Sequence, residues 1–170
     1  FDKRMSVRVG AVLLPVMMAV SVLLVRFGPE ALKENIALVG TDIEVAQGDF
    51  RQILLPDGSL IIAKGGSRIT YANDFLQHRE VFLKGEAFFK VQKNKEVPFL
   101  VKTRYLTVEV TGTEFNVQAL SEVDKTFVSL VEGSVNVSVG KNKESLLPPQ
   151  ELELDHGTGK MQLITTEGNH

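Results

Sequence analysis

Hydrophobic and polar positions divide the chain into two regimes. From Val9 to Val25 it reads VGAVLLPVMMAVSVLLV, uncharged between Arg8 and Arg26, whereas from Thr41 onward apolar residues tend to recur at every second position. The first pattern predicts a helix that is apolar on all sides. Its seventeen residues, at about 1.5 Å each, cover roughly 26 Å, slightly less than a hydrocarbon core of about 30 Å. Arg8 and Arg26 can close that gap by laying their stems along the helix while their guanidinium groups reach the headgroups. A transmembrane helix is therefore predicted over 9–27, after a short cytoplasmic remnant, 1–8. Lys3, Arg4 and Arg8 precede the run, which places the N-terminus on the cytoplasmic side. Two other readings compete. A buried core helix would need a large surround that the β-rich remainder does not offer. A secretory signal peptide would start at Met5 and be cleaved near Ala19-Val20-Ser21; the residues Phe1 to Arg4 upstream favour an uncleaved helix.

After a juxtamembrane linker, 28–47, the period of two predicts β-strands. Leu55-Pro56-Asp57-Gly58-Ser59 is a turn with a mechanism: Pro56 presets φ, Asp57 can bond its own backbone and Gly58 closes the turn. Ile69 and Tyr71 share a face, the polar stretch Asn73 to Arg79 reads as a loop, and Val81 and Leu83 alternate up to Gly85. Ala87, Phe89 and Val91 continue one face and Phe88 takes the other, so Phe88 and Phe89 cannot fill one core layer. Pro98 opens the strand Phe99 to Lys102. Leu106, Val108 and Val110, then Phe115, Val117 and Ala119, alternate on either side of Gly112. Phe127 to Val131 and Val135 to Val139 flank Gly133, and Leu152 and Leu154 face Met161 and Leu163 in a closing hairpin. Gly58, Gly85, Gly112 and Gly133 punctuate these strands at irregular intervals. The pattern predicts an all-β domain over 48–159, a wrapped β-sandwich or an irregular β-solenoid, with 160–170 beginning a connection onward.

Composition narrows the chemistry. Residues 1–28 carry four basic groups and one acidic, and the remainder carries fifteen basic and twenty acidic. An acidic domain without clustered Lys, Arg and aromatic platforms does not suit nucleic acid. Lys90, Lys93, Lys95 and Lys102 could form a basic patch, though charged turns are usually solvated. The chain has no cysteine, which excludes disulfides and thiolate metal sites. His78, His156 and His170 lack metal-binding spacing and read as solvated loop residues. Glu86 and Glu114, each beside a patterned segment, are the conceivable catalytic carboxylate pair; bonding to backbone at a bend is the simpler role. No nucleophile elbow, phosphate loop or His-Glu metal helix is present, so neither enzyme chemistry nor a cofactor is expected. With no Trp and only Tyr71 and Tyr105 as tyrosines, a secreted or anchored carbohydrate-binding β-sandwich is a weaker alternative.

Several spaced segments occur in order: LPDGS (Leu55 to Ser59), SRITY (Ser67 to Tyr71), REVFLKGEAFFKV (Arg79 to Val91), PFLVKT (Pro98 to Thr103), VTGTEFNV (Val110 to Val117) and LVEGSVNV (Leu130 to Val137). From about Gly48 to Asp155 the chain resembles the periplasmic domain of the FecR family of transmembrane anti-sigma factors, in the style found in Bacteroidetes. Ala63-Lys64-Gly65-Gly66 departs from the family pattern. The residues that carry the resemblance are Pro56, Asp57, Gly58, Ser67, Gly85, Glu86, Phe89, Pro98, Phe99, Gly112, Thr113, Phe115, Asn116 and Gly133.

The resemblance implies a mechanism. A cytoplasmic domain holds an extracytoplasmic-function sigma factor, one helix crosses the inner membrane, and the periplasmic part senses a TonB-dependent outer-membrane transporter through a C-terminal signalling domain. Both end domains are expected to lie outside this sequence. The motif residues are expected to be scaffold: glycines at close turns, Phe89, Phe99 and Phe115 in the core, and Asn116 bonding backbone across a bend.

Overall fold

In the computed structural model, which describes residues 40–165, the alternation of Val81, Leu83, Ala87 and Phe89 becomes one eleven-residue strand that belongs to two sheets. The strands are β1 (Gly40–Glu44), β2 (Phe50–Leu54), β3 (Leu60–Lys64), β4 (Arg68–Ala72), β5 (Glu80–Lys90), β6 (Phe99–Lys102) and β7 (Thr107–Val110). They continue with β8 (Glu114–Ala119), β9 (Lys125–Glu132), β10 (Val135–Val139), β11 (Asn142–Leu146), β12 (Gln150–Asp155) and β13 (Met161–Thr165). One short helix, α1 (Phe75–His78), interrupts them.

The first half of β5 pairs with β4 and β6 in a sheet of order β1-β4-β5-β6-β7-β10-β11. Its second half pairs with β3 and β8 in a sheet of order β2-β3-β5-β8-β9-β12-β13. Every pairing is antiparallel except β5 with β6. This is the wrapped sandwich of the two architectures that the pattern allowed. The inward residues of both sheets, among them Ile61, Ile69, Val81, Phe89, Phe99, Phe115, Val128, Val137 and Leu152, form one buried core. At roughly 25 cal/mol per Å² of apolar surface, each such side chain stabilises the fold by about 1.5–3 kcal/mol before its ordering entropy is subtracted.

Three features differ from expectation. The β fold begins before Gly48: Gly40–Glu44 of the expected linker forms β1 and pairs with β4, Ile43 opposite Ile69. At the other end the expected closing hairpin forms, Leu163 opposite Leu152 and Met161 opposite Leu154, but its second strand, β13, carries the β fold past the expected boundary at 159. The expected loop Asn73 to Arg79 holds α1, whose Phe75 is buried. The hairpin turn before β13 is held by Asp155, whose Oδ1 accepts the Thr158 N–H and hydroxyl at 2.8 Å each. Those bonds keep the Asp155 carboxyl below its usual pKa, the backbone N–H contributing most. The expected membrane run, 9–27, lies outside the described residues. Within them no helix is long and apolar enough to cross a membrane.

Candidate functional site

The family-like residues gather into three clusters, and the first is built around a residue the sequence placed in a loop. Arg79 ends α1 in the left-handed region, φ 46° and ψ 44°, with its N–H donated to Phe75 O at 2.6 Å. That turn points the side chain inward, where only 1% of the residue is exposed. Its Nε donates to Asp57 Oδ2 at 2.8 Å, Nη1 to Val97 O at 2.8 Å and Nη2 to Gln92 O at 2.8 Å. Asp57, in the turn between β2 and β3, also accepts the Ser59 N–H at 2.9 Å and the Ser59 hydroxyl at 2.8 Å. The Ser59 hydroxyl in turn accepts the Gln92 N–H at 3.0 Å.

The parallel pairing of β5 and β6 explains why the fold needs this arrangement. A parallel connection must carry the chain back along the sheet, usually through a helix. Here an irregular stretch between Lys90 and Phe99 does so. Its two ends present the carbonyls of Gln92 and Val97, and the planar fork of one guanidinium satisfies both while pairing with Asp57. Asn94 folds the middle, its Oδ1 accepting N–H bonds from Glu96 and Val97. Pro98 then opens β6. Arg79 also lies over the Phe99 ring, 5.4 Å from its centroid. Phe99 starts the aromatic file expected from the motifs: it packs edge-on against Phe89 at 6.3 Å, and Phe89 stacks on Phe115 at 5.1 Å.

The second cluster sits where β5 passes from one sheet to the other. Gly85 has φ 105°, and a Cβ there would lie 2.5 Å from Ser67 Oγ and 2.7 Å from Ser67 Cα. Only glycine allows that approach. It places the Ser67 hydroxyl to donate to Glu86 O and accept from Glu86 N–H, 2.9 Å each, so a buried serine replaces the ladder bonds lost at the crossing. A cleft of about 730 Å³ opens beside it, lined by Gly65, Gly66, Lys84, Glu44, Gln47 and Glu122 among others. In the third cluster Gly133 lies against Thr113, next to Gly112, and the Thr113 hydroxyl donates to Ser134 O at 3.0 Å. Asn116 joins none of these clusters. It stands in mid-β8 on the outer face, opposite Phe88, and lines a shallow cavity with Phe50, so its expected bond across a bend is not formed.

The conceivable carboxylate pair does not assemble. Glu86 bonds Lys64 at 2.9 Å and Glu114 bonds Lys90 at 2.6 Å. In the β5–β8 register Glu86 faces Gln118 and Glu114 faces Lys90. Four residues of strand therefore separate the two acids, about 14 Å at roughly 3.4 Å per residue. Two glycosidase carboxylates span at most about 10 Å. The conceivable basic patch is weakened, because Lys90 and Lys102 pair with Glu114 and Glu80. His156 is no free loop residue: its ring stacks on Tyr105 with centroids 3.5 Å apart. Tyr71 packs edge-on against Phe75, and both tyrosines are half-buried. Among the described residues, no group of His, Cys, Asp and Glu could hold a metal ion.

Exposed ion pairs brace the sheets. Arg68 bonds Asp42 across β1 and β4 and, with Thr70, lowers the Asp42 pKa to about 2. The bonds to Glu114 and Glu153 raise the pKa of Lys90 and Lys125. These pairs hold neighbouring strands at fixed positions.

A family model described as FecR protein matches residues 41–136. Two crystal structures of a candidate anti-sigma factor from Parabacteroides distasonis, at 2.50 Å and 1.65 Å resolution, are similar to the chain. Each shows 33% identity and a TM-score of 0.71 and covers 74% of this chain. The match takes in 60% and 59% of those solved chains, so this chain spans about three fifths of their length. A search of curated proteins finds no match.

Proposed function

The chain belongs to the FecR family, and on that premise we propose that it is the sensor arm of a membrane-anchored anti-sigma factor. In this reading 9–27 crosses the inner membrane once, with its N-terminus in the cytoplasm. The residues before β1 act as a linker, and the β domain stands in the periplasm. The domain transmits the state of a TonB-dependent transporter inward to an extracytoplasmic-function sigma factor. The sigma factor and the transporter would be engaged through parts of the protein on either side of this sequence. It works by position and contact, without catalysis or a cofactor.

The likeness to the Parabacteroides anti-sigma structure carries the reading. The uncharged run between Arg8 and Arg26 supports the single crossing, and the basic residues ahead of it support the orientation. Among the described residues every buried side-chain polar atom has a hydrogen-bond partner, which suits a module that must pass on force or displacement without deforming. Alkaline phosphatase fused after Gly168 in a Gram-negative host should be active. Strong β-galactosidase activity from the same junction, with inactive phosphatase, would overturn the topology.

A further inference from the structure

We propose that a small cavity between the two sheets, floored by Leu83 and Ala119 and rimmed by Lys84 and Arg104, binds a carboxylate that carries an apolar group. The cavity holds about 260 Å³ and opens where β5 changes sheets, Gly85 standing opposite Ala119 in the register. Its floor is continuous with the core, since Leu83 is 4% and Ala119 8% exposed. An apolar group placed there displaces water from surface that has no polar partner to offer.

The rim has the opposite character. Among the described residues Lys84 and Arg104, like several other surface cations, meet no carboxylate within 4 Å; what sets these two apart is that both line this one cavity. In a domain whose net charge is negative, two unpaired cations on one small cavity form a local anion site. Tyr105 and Ser121, both hydroxyl-bearing, line the same cavity. The wall is fixed in advance. Tyr105 is clamped face-on against His156, whose Nε2 shares a 2.8 Å hydrogen bond with the hydroxyl of buried Thr126. The Arg104 guanidinium lies 5.7 Å from the Tyr105 ring centroid, so the ring also steers the cation. A preformed wall reduces the ordering cost of binding.

Size limits the ligand. The cavity is smaller than sites for drug-sized molecules, which begin near 300 Å³, so it takes one residue-sized group. A branched aliphatic or aromatic side chain would rest on Leu83 and Ala119, with its adjacent carboxylate between Lys84 and Arg104. Two sources present that chemistry: the C-terminal residue of a peptide, and a free small carboxylic acid.

The test uses the full chain in mild detergent with isotope-labelled backbone amides. Three probes are titrated: N-acetyl-L-leucine, a short alanine-glycine peptide ending in leucine with a free carboxylate, and the same peptide amidated. The free acid, the acid peptide or both should shift the amides of residues 83–85 and 119–121, and the amidated peptide should bind at least about tenfold more weakly. Binding by the acid peptide alone identifies a chain terminus as the ligand, and binding by both identifies the shared carboxylate. Lys84→Gln and Arg104→Gln, both exposed and unpaired, should each weaken binding about tenfold without loss of the folded spectrum. The proposal is overturned if neither acid shifts those amides up to about 10 mM, if the amide binds as well as the acid, or if both variants bind like the parent.

Discussion

Replacing Arg79 with methionine tests the buried clasp directly. The side chains of Arg79 and Asp57 are 2% and 8% exposed and meet at 2.7 Å. Breaking a buried pair from one side costs about 3–5 kcal/mol, because the remaining charge stays desolvated without a partner. The carbonyls of Gln92 and Val97 also lose their donor. The exposed loop between them can admit water, so their loss adds less than the usual orphan penalty of about 1–3 kcal/mol each. A total near 4 kcal/mol is expected against a domain stability of about 5–15 kcal/mol. At about 4 °C per kcal/mol for a domain of this size, Tm should fall by about 16 °C. Denaturant titration of the full chain in mild detergent, followed by circular dichroism, reads the loss. Asp57→Asn and the double variant close a cycle whose coupling should reach about 2 kcal/mol, within the range for directly bonded pairs. A loss below about 1 kcal/mol for Arg79→Met, or additive single effects, would refute the claim that this pair holds the parallel connection.

Gly85→Ala puts a methyl group within 2.7 Å of the Ser67 backbone at a positive φ and should cost roughly 3 kcal/mol, read by the same titration; a cost below about 0.5 kcal/mol would contradict the close crossing. Ser67→Ala removes both bonds to the Glu86 backbone and should cost about 1–3 kcal/mol, with faster amide exchange at Glu86 as its local signature. For Asp42 the folded pKa of about 2 lies below the ordinary 3.8. Its contribution is therefore complete above about pH 5 and is lost as pH falls through 2. Asp42→Asn should flatten that part of the stability profile, and an unchanged acid limb would show that the exposed pair contributes nothing.

What the sequence revealed and what it hid follow from the range of the interactions. The turn at Pro56-Asp57-Gly58 and the β12–β13 hairpin were legible because local residue chemistry specifies both. The alternation along β5 separated Phe89 from Phe88 for the same reason. Arg79 was read as part of a loop because its partners are scattered at Asp57, Gln92 and Val97, and no spacing rule connects them. An arginine at the head of a strictly alternating strand, beside a polar stretch too short for a helical period, was the available signal. The four-residue α1 offers no periodicity to detect. β1 carries one apolar residue, Ile43, and its place in the sheet is decided by β4. Asn116 misled because asparagine usually marks a bend, whereas here the register of β5, β8 and β9 holds it in mid-strand.

The central claim is that this chain is the sensor arm of an anti-sigma factor, and transcription tests it most directly. In the native cell, residues 40–165 are deleted in frame from the chromosomal gene, and transcripts are compared with those of the parent strain. The account predicts a coherent change confined to the regulon of one extracytoplasmic-function sigma factor, including a gene for a TonB-dependent transporter. An unchanged transcriptome, under conditions in which the parent protein is expressed, would contradict it.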